Sequence, residues 1–437
     1  MKAISLFSCG GIGDLALKRV GIDVIVANEI IMERAEVFKF NHPACDMVTG
    51  DIWTSGEAIL NAAKKRLNGA PLDFIFATPP CQGMSKNGRG KLLSLVRQGL
   101  RDAVDPRNLL IVPTVEIFKR SGAHTLIMEN VPEMASTVIP DPERHGAVVG
   151  IVDYIKRSVG PEFVSSVETV EFADFGVPQC RQRLLSIFTR HVGLKAELRD
   201  LGSLLPKPTH CKKGDGRPRW VSVRDVIGNC PRLDSKTGAS LKTKNLPFHR
   251  VPVLDEDKYF WVSSTPEERG AFDNQCVNPK CGFQGNPTHG TSRDSKGVNR
   301  ANTHTPLYCV KCGELLPRPW VREGHGYRLM RGYTSAYKRM RWDSPASTLT
   351  RNLSYACSDN KLHPSENRVL SLHEAMLLHT VENFEWKRRD GKRVSDKVIR
   401  ELIGESVPPA GLERIFEHLV ALLQGPVGLG SMRPGRG

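Results

Sequence analysis

Over the first 190 residues, short apolar runs alternate with helical patterns. Residues 3–7 form one run. A glycine-rich turn, Cys9-Gly10-Gly11-Ile12-Gly13, follows it and opens a helical pattern over 14–20. Residues 23–27 read as a second strand ending at Asn28-Glu29, and 73–77 as a third ending at Thr78-Pro79-Pro80-Cys81. Residues 125–128 form a fourth, ending at Glu129-Asn130-Val131, and 184–188 a fifth. Strands that alternate with helices predict an α/β fold, a mostly parallel sheet with helices on both faces. The distinctive clusters follow strands, and open α/β sheets bind ligands at the carboxyl ends of their strands.

The pattern changes from about 193 to 365. Periodicity weakens, and Pro, Gly, Lys and Arg become frequent. Residues 207–250 hold 11 Lys/Arg against 3 acids, and 318–351 hold 8 against 2. This predicts a small, irregular, basic domain. Helical patterns return at 371–379 and 411–423, and the glycine-rich stretch 425–437 reads as a loose tail.

Composition narrows the class. With 437 residues, the chain is about three times the usual ~150 per domain, so one large and one smaller domain are expected. Forty per cent hydrophobic and 25% charged residues exclude a wholly disordered chain. No run approaches the roughly 18 apolar residues of a membrane span, and residues 1–7 are too short for a secretion signal, so an intracellular protein without a membrane partner is expected. A net charge of +15 points to a polyanion, nucleic acid before acidic membrane. Eleven cysteines suit free, catalytic or metal-bound thiols better than a disulfide framework.

Each motif has a plain structural reading beside the chemical one. The strand, glycine turn and helix at 3–20 can bring backbone N–H groups to an anionic cofactor, or be mere geometry. Glu29 strengthens the first reading, because a carboxylate there can hold two ribose hydroxyls. Asp51-Ile52 offers an acceptor and an apolar wall for an adenine, or simply a helix cap. Pro79-Pro80-Cys81-Gln82 leaves the sheet rigidly and presents one thiol, which is a nucleophile only as thiolate. Glu129, if buried, can donate a proton at neutral pH. In Gln179-Cys180-Arg181-Gln182-Arg183, an extended backbone puts residues 179, 181 and 183 on one face. Cys276-x4-Cys281, 27 residues, then Cys309-x2-Cys312-Gly313 has the spacing of a structural zinc site, with Gly282 and Gly313 placed for knuckle turns. His289 and His304 read as loop residues between the pairs.

Taken in order, Phe7-Ser8 with its glycines, Glu29, Pro80-Cys81-Gln82, Glu129-Asn130-Val131 and Gln179-x-Arg181-x-Arg183 resemble the cytosine-C5 DNA methyltransferases of bacterial restriction–modification systems. Arg368-x-x-Ser371-x-x-Glu374-Ala375 and Gly404-Glu405-Ser406-Val407-Pro408-Pro409 extend the likeness, which covers about 1–190 and 366–424. It implies a catalytic and cofactor domain at 1–192 completed by 366–424. It also implies a target-recognition domain at 193–365 with its cysteine insert at 276–312.

By this resemblance Cys81 attacks cytosine C6, Glu129 holds N3 and the N4 amine, Arg183 holds O2, and Arg181 supports it. S-adenosylmethionine would lie against Phe7, Gly10, Gly11, Glu29, Ile30, Asp51, Ile52, Pro79 and Leu110, with Ser406 and Val407 at its methionine end. Gln82, Ser85 and Arg89 belong to a loop expected to close over a flipped base. His210, Trp220, Arg224, Arg322, Arg328, Arg331 and Arg341 would face double-stranded DNA. A monomeric cytoplasmic enzyme with a separately encoded endonuclease is the corresponding biological expectation. Two features depart from the family: the shifted glycines of the first turn, and Glu405 where asparagine is usual. A carboxylate at 405 needs a cation partner or an outward direction. Transfer to RNA cytosine, an inactive DNA-binding regulator, and amino-methylation remain the rivals. Cys81 after the prolines opposes the last, and the intact Cys81, Glu129, Arg181 and Arg183 oppose the second.

Overall fold

The computed structural model describes residues 1–80, 84, 105–288, 290–293, 299–301, 305–330 and 335–424. Cys81, Gln82, Ser85, Arg89, His289, His304, Arg331 and the stretch 425–437 lie outside the described residues.

The strands β1 (Lys2–Leu6), β2 (Asp23–Glu29), β3 (Asp46–Thr49), β4 (Phe74–Ala77) and β5 (Thr125–Asn130) are mutually parallel. Three more follow: β6 (Val164–Glu171), the short β7 (Gln179–Cys180) and β8 (Gln182–Thr189). β8 runs antiparallel between β5 and β6, giving a seven-stranded sheet in the order β3-β2-β1-β4-β5-β8-β6. The inner parallel strands β1, β2, β4 and β5 carry mostly apolar residues because both their faces are covered, whereas the edge strand β3 has no fully buried residue.

Alternate residues feed two apolar layers. Ile4, Leu6, Ile75, Leu126 and Met128 pack with helices α3 (Ile52–Leu67), α4 (Ile111–Ser121) and α5 (Ile151–Val159). Ala3, Phe74, Phe76, Leu185 and Ile187 face the other way, toward α1 (Asp14–Arg19), α2 (Met32–Asn41) and α6 (Val192–Leu201). That second layer is filled by α11 (Pro409–Gln424), whose Leu412, Ile415, Phe416 and Leu419 are all buried. Phe416 meets Phe76 edge-on at 5.4 Å.

A third apolar cluster joins α7 (Val223–Ile227), α9 (Leu372–Leu378) and α10 (Asp396–Glu405) with Leu349 and Leu353. The start of α9 explains the Arg368…Ser371…Glu374 spacing. Ser371 and Glu374 form a reciprocal capping box. The fully buried Glu374 carboxylate then takes Arg368 bidentately, at 2.7 and 2.8 Å.

The remaining region is loop-rich, as expected. Its regular parts include α8 (Glu256–Ser263) and the hairpin β9 (Trp320–Glu323) with β10 (Gly326–Leu329). A small core of Trp261, Phe272, Trp320 and Tyr337 holds it. Parallel pairing of Ala346–Ser347 with β7 ties this region to the sheet domain.

Candidate functional site

The strand order reverses between β1 and β4, because β2 lies on one side of β1 and β4 on the other. Such a switch point is where an open α/β sheet leaves a crevice. The chain leaves β1 through left-handed Phe7, Cys9 and Gly11 (φ +59°, +52° and +83°). Ser8 N–H donates to Asn28 O at 3.0 Å, and Thr78 Oγ1 donates to Phe7 O at 3.0 Å. Glu29 closes the loop: its two carboxylate oxygens accept Cys9 N–H at 2.9 Å and Ile31 N–H at 2.8 Å. Burial pushes this carboxyl above its ordinary range, opposed by those N–H groups and by Arg34.

Beside the loop, Ile30, Ile31, Met32 and Trp53 are 60%, 44%, 61% and 51% exposed. Clustered exposed apolar side chains at strand and helix ends fit a flat, apolar ring system. Asp51 is exposed and caps α3, accepting Trp53 N–H at 3.0 Å. Ile52 is buried within the first layer, Pro79 is buried and Leu110 half-buried.

The C-terminal block comes to the same crevice. The side chain of Leu402 lies over Gly10, and Val407 is buried in the second layer. Glu405 pairs with Arg34 at 2.7 Å. Arg34 is thus the cation that the unusual Glu405 requires. Gly404 packs where a Cβ would run into the backbone of Thr350 and Arg351, so glycine is needed there.

On the β4–β5 side, Asn130 Nδ2 donates to Pro79 O at 3.1 Å, and Asn130 Oδ1 accepts Val131 N–H at 2.8 Å. Asn130 therefore anchors the segment that leads to residue 81. Glu129, 6% exposed, meets Arg183 Nε at 2.7 Å. Burial raises its carboxyl above the ordinary range, against the pull of Arg183 and Arg181.

Gln179 and Arg181 are fully buried and share the expected face. Both reach Leu349: its N–H donates to Gln179 Oε1 at 3.0 Å, and Arg181 Nη1 donates to its carbonyl at 3.1 Å. Arg181 Nη2 also reaches Gly404 O at 3.2 Å. Arg181 is a strut between three segments, and Arg183 is the guanidinium turned to Glu129.

A family model for C-5 cytosine-specific DNA methylases matches residues 1–421. The chain belongs to that family. It is a DNA cytosine-5 methyltransferase. Type II methyltransferase M1.HgaI of Avibacterium volantium is 29% identical over 96% of this chain and 98% of that protein. Type II methyltransferase M.AgeI of Thalassovita gelatinovora is 23% identical, covering 94% of this chain and 96% of its own. Among solved structures, a putative DNA modification methyltransferase encoded within an E. coli prophage superposes with a TM-score of 0.52 at 19% identity. It covers 97% of this chain and 100% of that one, and shows the fold.

The methylase also gathers Cys276, Cys281, Cys309 and Cys312 so that all four Sγ atoms lie within 4.8 Å of one another. The Cys276 and Cys312 sulfurs are 3.7 Å apart. Tetrahedral zinc with ~2.3 Å bonds sets sulfurs about 3.8 Å apart, so the cluster fits that ion. Gly282 and Gly313 take φ +52° and +74°, the left-handed turn after each pair. Asn286 braces the cluster, accepting Val310 N–H at 3.0 Å and directing its amide toward Cys309 Sγ at 3.6 Å.

Of the residues expected to face DNA, Arg224, Arg322, Arg328 and Arg341 are exposed, each beside an acid: Asp343, Asp257, Glu323 and Glu268. Trp220 instead turns its indole to Asp174 at 2.9 Å, and His210 packs against Gly176.

Sequence reasoning missed Arg34, the anchoring role of Asn130, and His379. The only local signal for Arg34 was the odd Glu405. His379 gave none.

Proposed function

We propose that this enzyme is the modification half of a restriction–modification system and methylates one cytosine within a short duplex sequence. Type II names among full-length relatives support that role. The observation that carries the chemistry is the buried Glu129–Arg183 pair beside the Asn130-anchored prolines.

The target base is inaccessible inside a duplex and must flip out. Cys81, as thiolate, attacks C6, and the C5–C6 electrons move into the ring. Glu129 holds N3 and the N4 amine, giving N3 a proton as negative charge develops. Its raised affinity for a proton suits that task. Arg183 holds O2. Arg181, tied to Leu349 and Gly404, keeps the strand in place. When bound, S-adenosylmethionine supplies an electrophilic methyl group, with Glu29 at its ribose, Phe7, Ile30 and Ile52 around its adenine, and Ser406 and Val407 at its methionine end. The C5 carbon takes the methyl group, then loses its proton to solvent, and Cys81 leaves C6. The exposed apolar rim of Ile30 and Trp53 supports the adenine placement. Asp51 retains one carboxylate oxygen for it beyond its capping bond.

The region around 193–365 would read the DNA, stiffened by zinc on the four cysteines. That ion has all four ligands from the protein and plays no catalytic part. Lysine and arginine contacts there would mostly position the duplex through phosphates.

The test is base-resolution sequencing of 5-methylcytosine in cells making the protein, beside Cys81→Ser. Methylation of a single motif, absent with Cys81→Ser, is expected. Equal methylation with both proteins would remove Cys81 from the chemistry. Methylation confined to RNA would replace the substrate.

A further inference from the structure

His379 sits at the end of α9, fully buried, between the target-base strand and the C-terminal turn. Its Nδ1 is 3.2 Å from Gln179 Nε2, and its Nε2 is 2.9 Å from Ser406 Oγ. The polarity of this chain can be worked out atom by atom. Leu349 N–H can only donate, so the amide atom of Gln179 facing it at 3.0 Å is the oxygen. The amide nitrogen therefore faces His379 and Leu378 O, and it too can only donate. His379 Nδ1 must accept, which places the imidazole proton on Nε2. That proton goes to Ser406 Oγ. The serine proton is left for Ile403 O, at 3.4 Å. One acceptor lone pair on Ser406 remains, and no donor. Burial, with Arg181 and Arg183 nearby, holds the imidazole well below its ordinary pKa, so it stays neutral.

We propose that His379 is a positioning residue that fixes Ser406 as a pure hydrogen-bond acceptor, so that this edge of the cofactor site selects the α-ammonium group of the methionine moiety. The inference rests on the placement of Ser406 at the methionine end. It explains how an oxygen beside the acidic Glu405 is used: both favour a cation, and Arg34 keeps Glu405 from dominating. It also ties the cofactor turn to Gln179, in the short strand β7 that leads into Arg181 and Arg183.

The experiment measures binding of S-adenosylhomocysteine and of its deaminated analogue by calorimetry. Wild-type enzyme should prefer the amine-bearing ligand by about tenfold, one charge-assisted hydrogen bond. His379→Asn keeps an acceptor toward Gln179 but offers nothing to Ser406. It should lose most of that preference, with little change in affinity for the deaminated ligand. His379→Gln places an amide N–H where Nε2 was and should restore the preference, even if His379→Asn folds poorly. Preference unchanged in His379→Asn, or lost equally in His379→Gln, would overturn the inference. A wild-type enzyme that binds both ligands equally would do so too. Failure to bind either ligand would instead overturn the placement of Ser406 in the cofactor site.

Discussion

In the sheet domain, the seven strands of the sheet satisfy one another's backbone groups, and apolar side chains fill both layers. The loop-rich region has few ladders, and its buried carbonyls turn to arginine. Arg339, 3% exposed, donates to Thr265 O, Val262 O, His363 O and Glu366 O at 2.5–3.0 Å and to Asn367 Oδ1 at 2.9 Å. Arg318, fully buried, serves Asn274 O at 2.8 Å and Pro306 O at 2.7 Å. Burial pulls both arginines down to about 10, and they stay charged at neutral pH. Buried backbone must be paired by something, and where secondary structure is sparse a guanidinium with five donors can replace it. A few of the basic residues that suggest a polyanion partner, Arg318 and Arg339 among them, are thus interior architecture.

The two regions should respond differently to damage. Glu129→Gln should cut single-turnover methyl transfer by about 10²- to 10⁴-fold, as for loss of a general acid, while melting stays near wild type. A large fall in melting temperature would mean that Glu129 is structural, like the arginines across the boundary. Arg339→Met leaves several carbonyls orphaned and should destabilise the loop-rich region by about 3 kcal/mol or more, read from denaturant unfolding. Cofactor binding should survive, and its loss would show that the regions do not separate.

Cys309→Ser, or treatment with a strong chelator, should release one metal ion per chain, quantified by metal analysis. DNA affinity should fall while cofactor affinity holds. Metal-free protein from a chelator-free purification would dismiss the zinc. The smallest effect is expected for Glu405→Gln, about two- to fivefold in cofactor affinity, because its pair with Arg34 is partly exposed. A larger change would make that pair a direct part of the site.

Four of the five parallel strands were legible because each is an apolar run ending in a turn; Asp46–Thr49, a half-buried edge strand, was not. The expected 3–7, 23–27 and 73–77 became Lys2–Leu6, Asp23–Glu29 and Phe74–Ala77. Val164–Glu171 was not, since it lies at the sheet edge and is broken by polar residues. The antiparallel direction of β8 was hidden as well, because direction depends on connections rather than on local pattern. Within the site, Glu129 and the paired cysteines showed in the motifs. Asp51 proved to have the plain role of helix cap available to it. His379 and Arg34 were invisible, because their meaning comes from partners outside their own motifs: Gln179 and Ser406 for His379, and Glu405 for Arg34.

The helix α11 has a consequence for the time course of synthesis. Until residues 409–424 emerge from the ribosome, Phe76, Leu185 and Ile187 lack the part of their cover that Leu412, Ile415, Phe416 and Leu419 supply. The exposed face is a hazard for aggregation and a natural client surface for chaperones. It also means that the turn carrying Ser406 can be seated only late. A nascent methylase would therefore remain inert until this helix has emerged and docked.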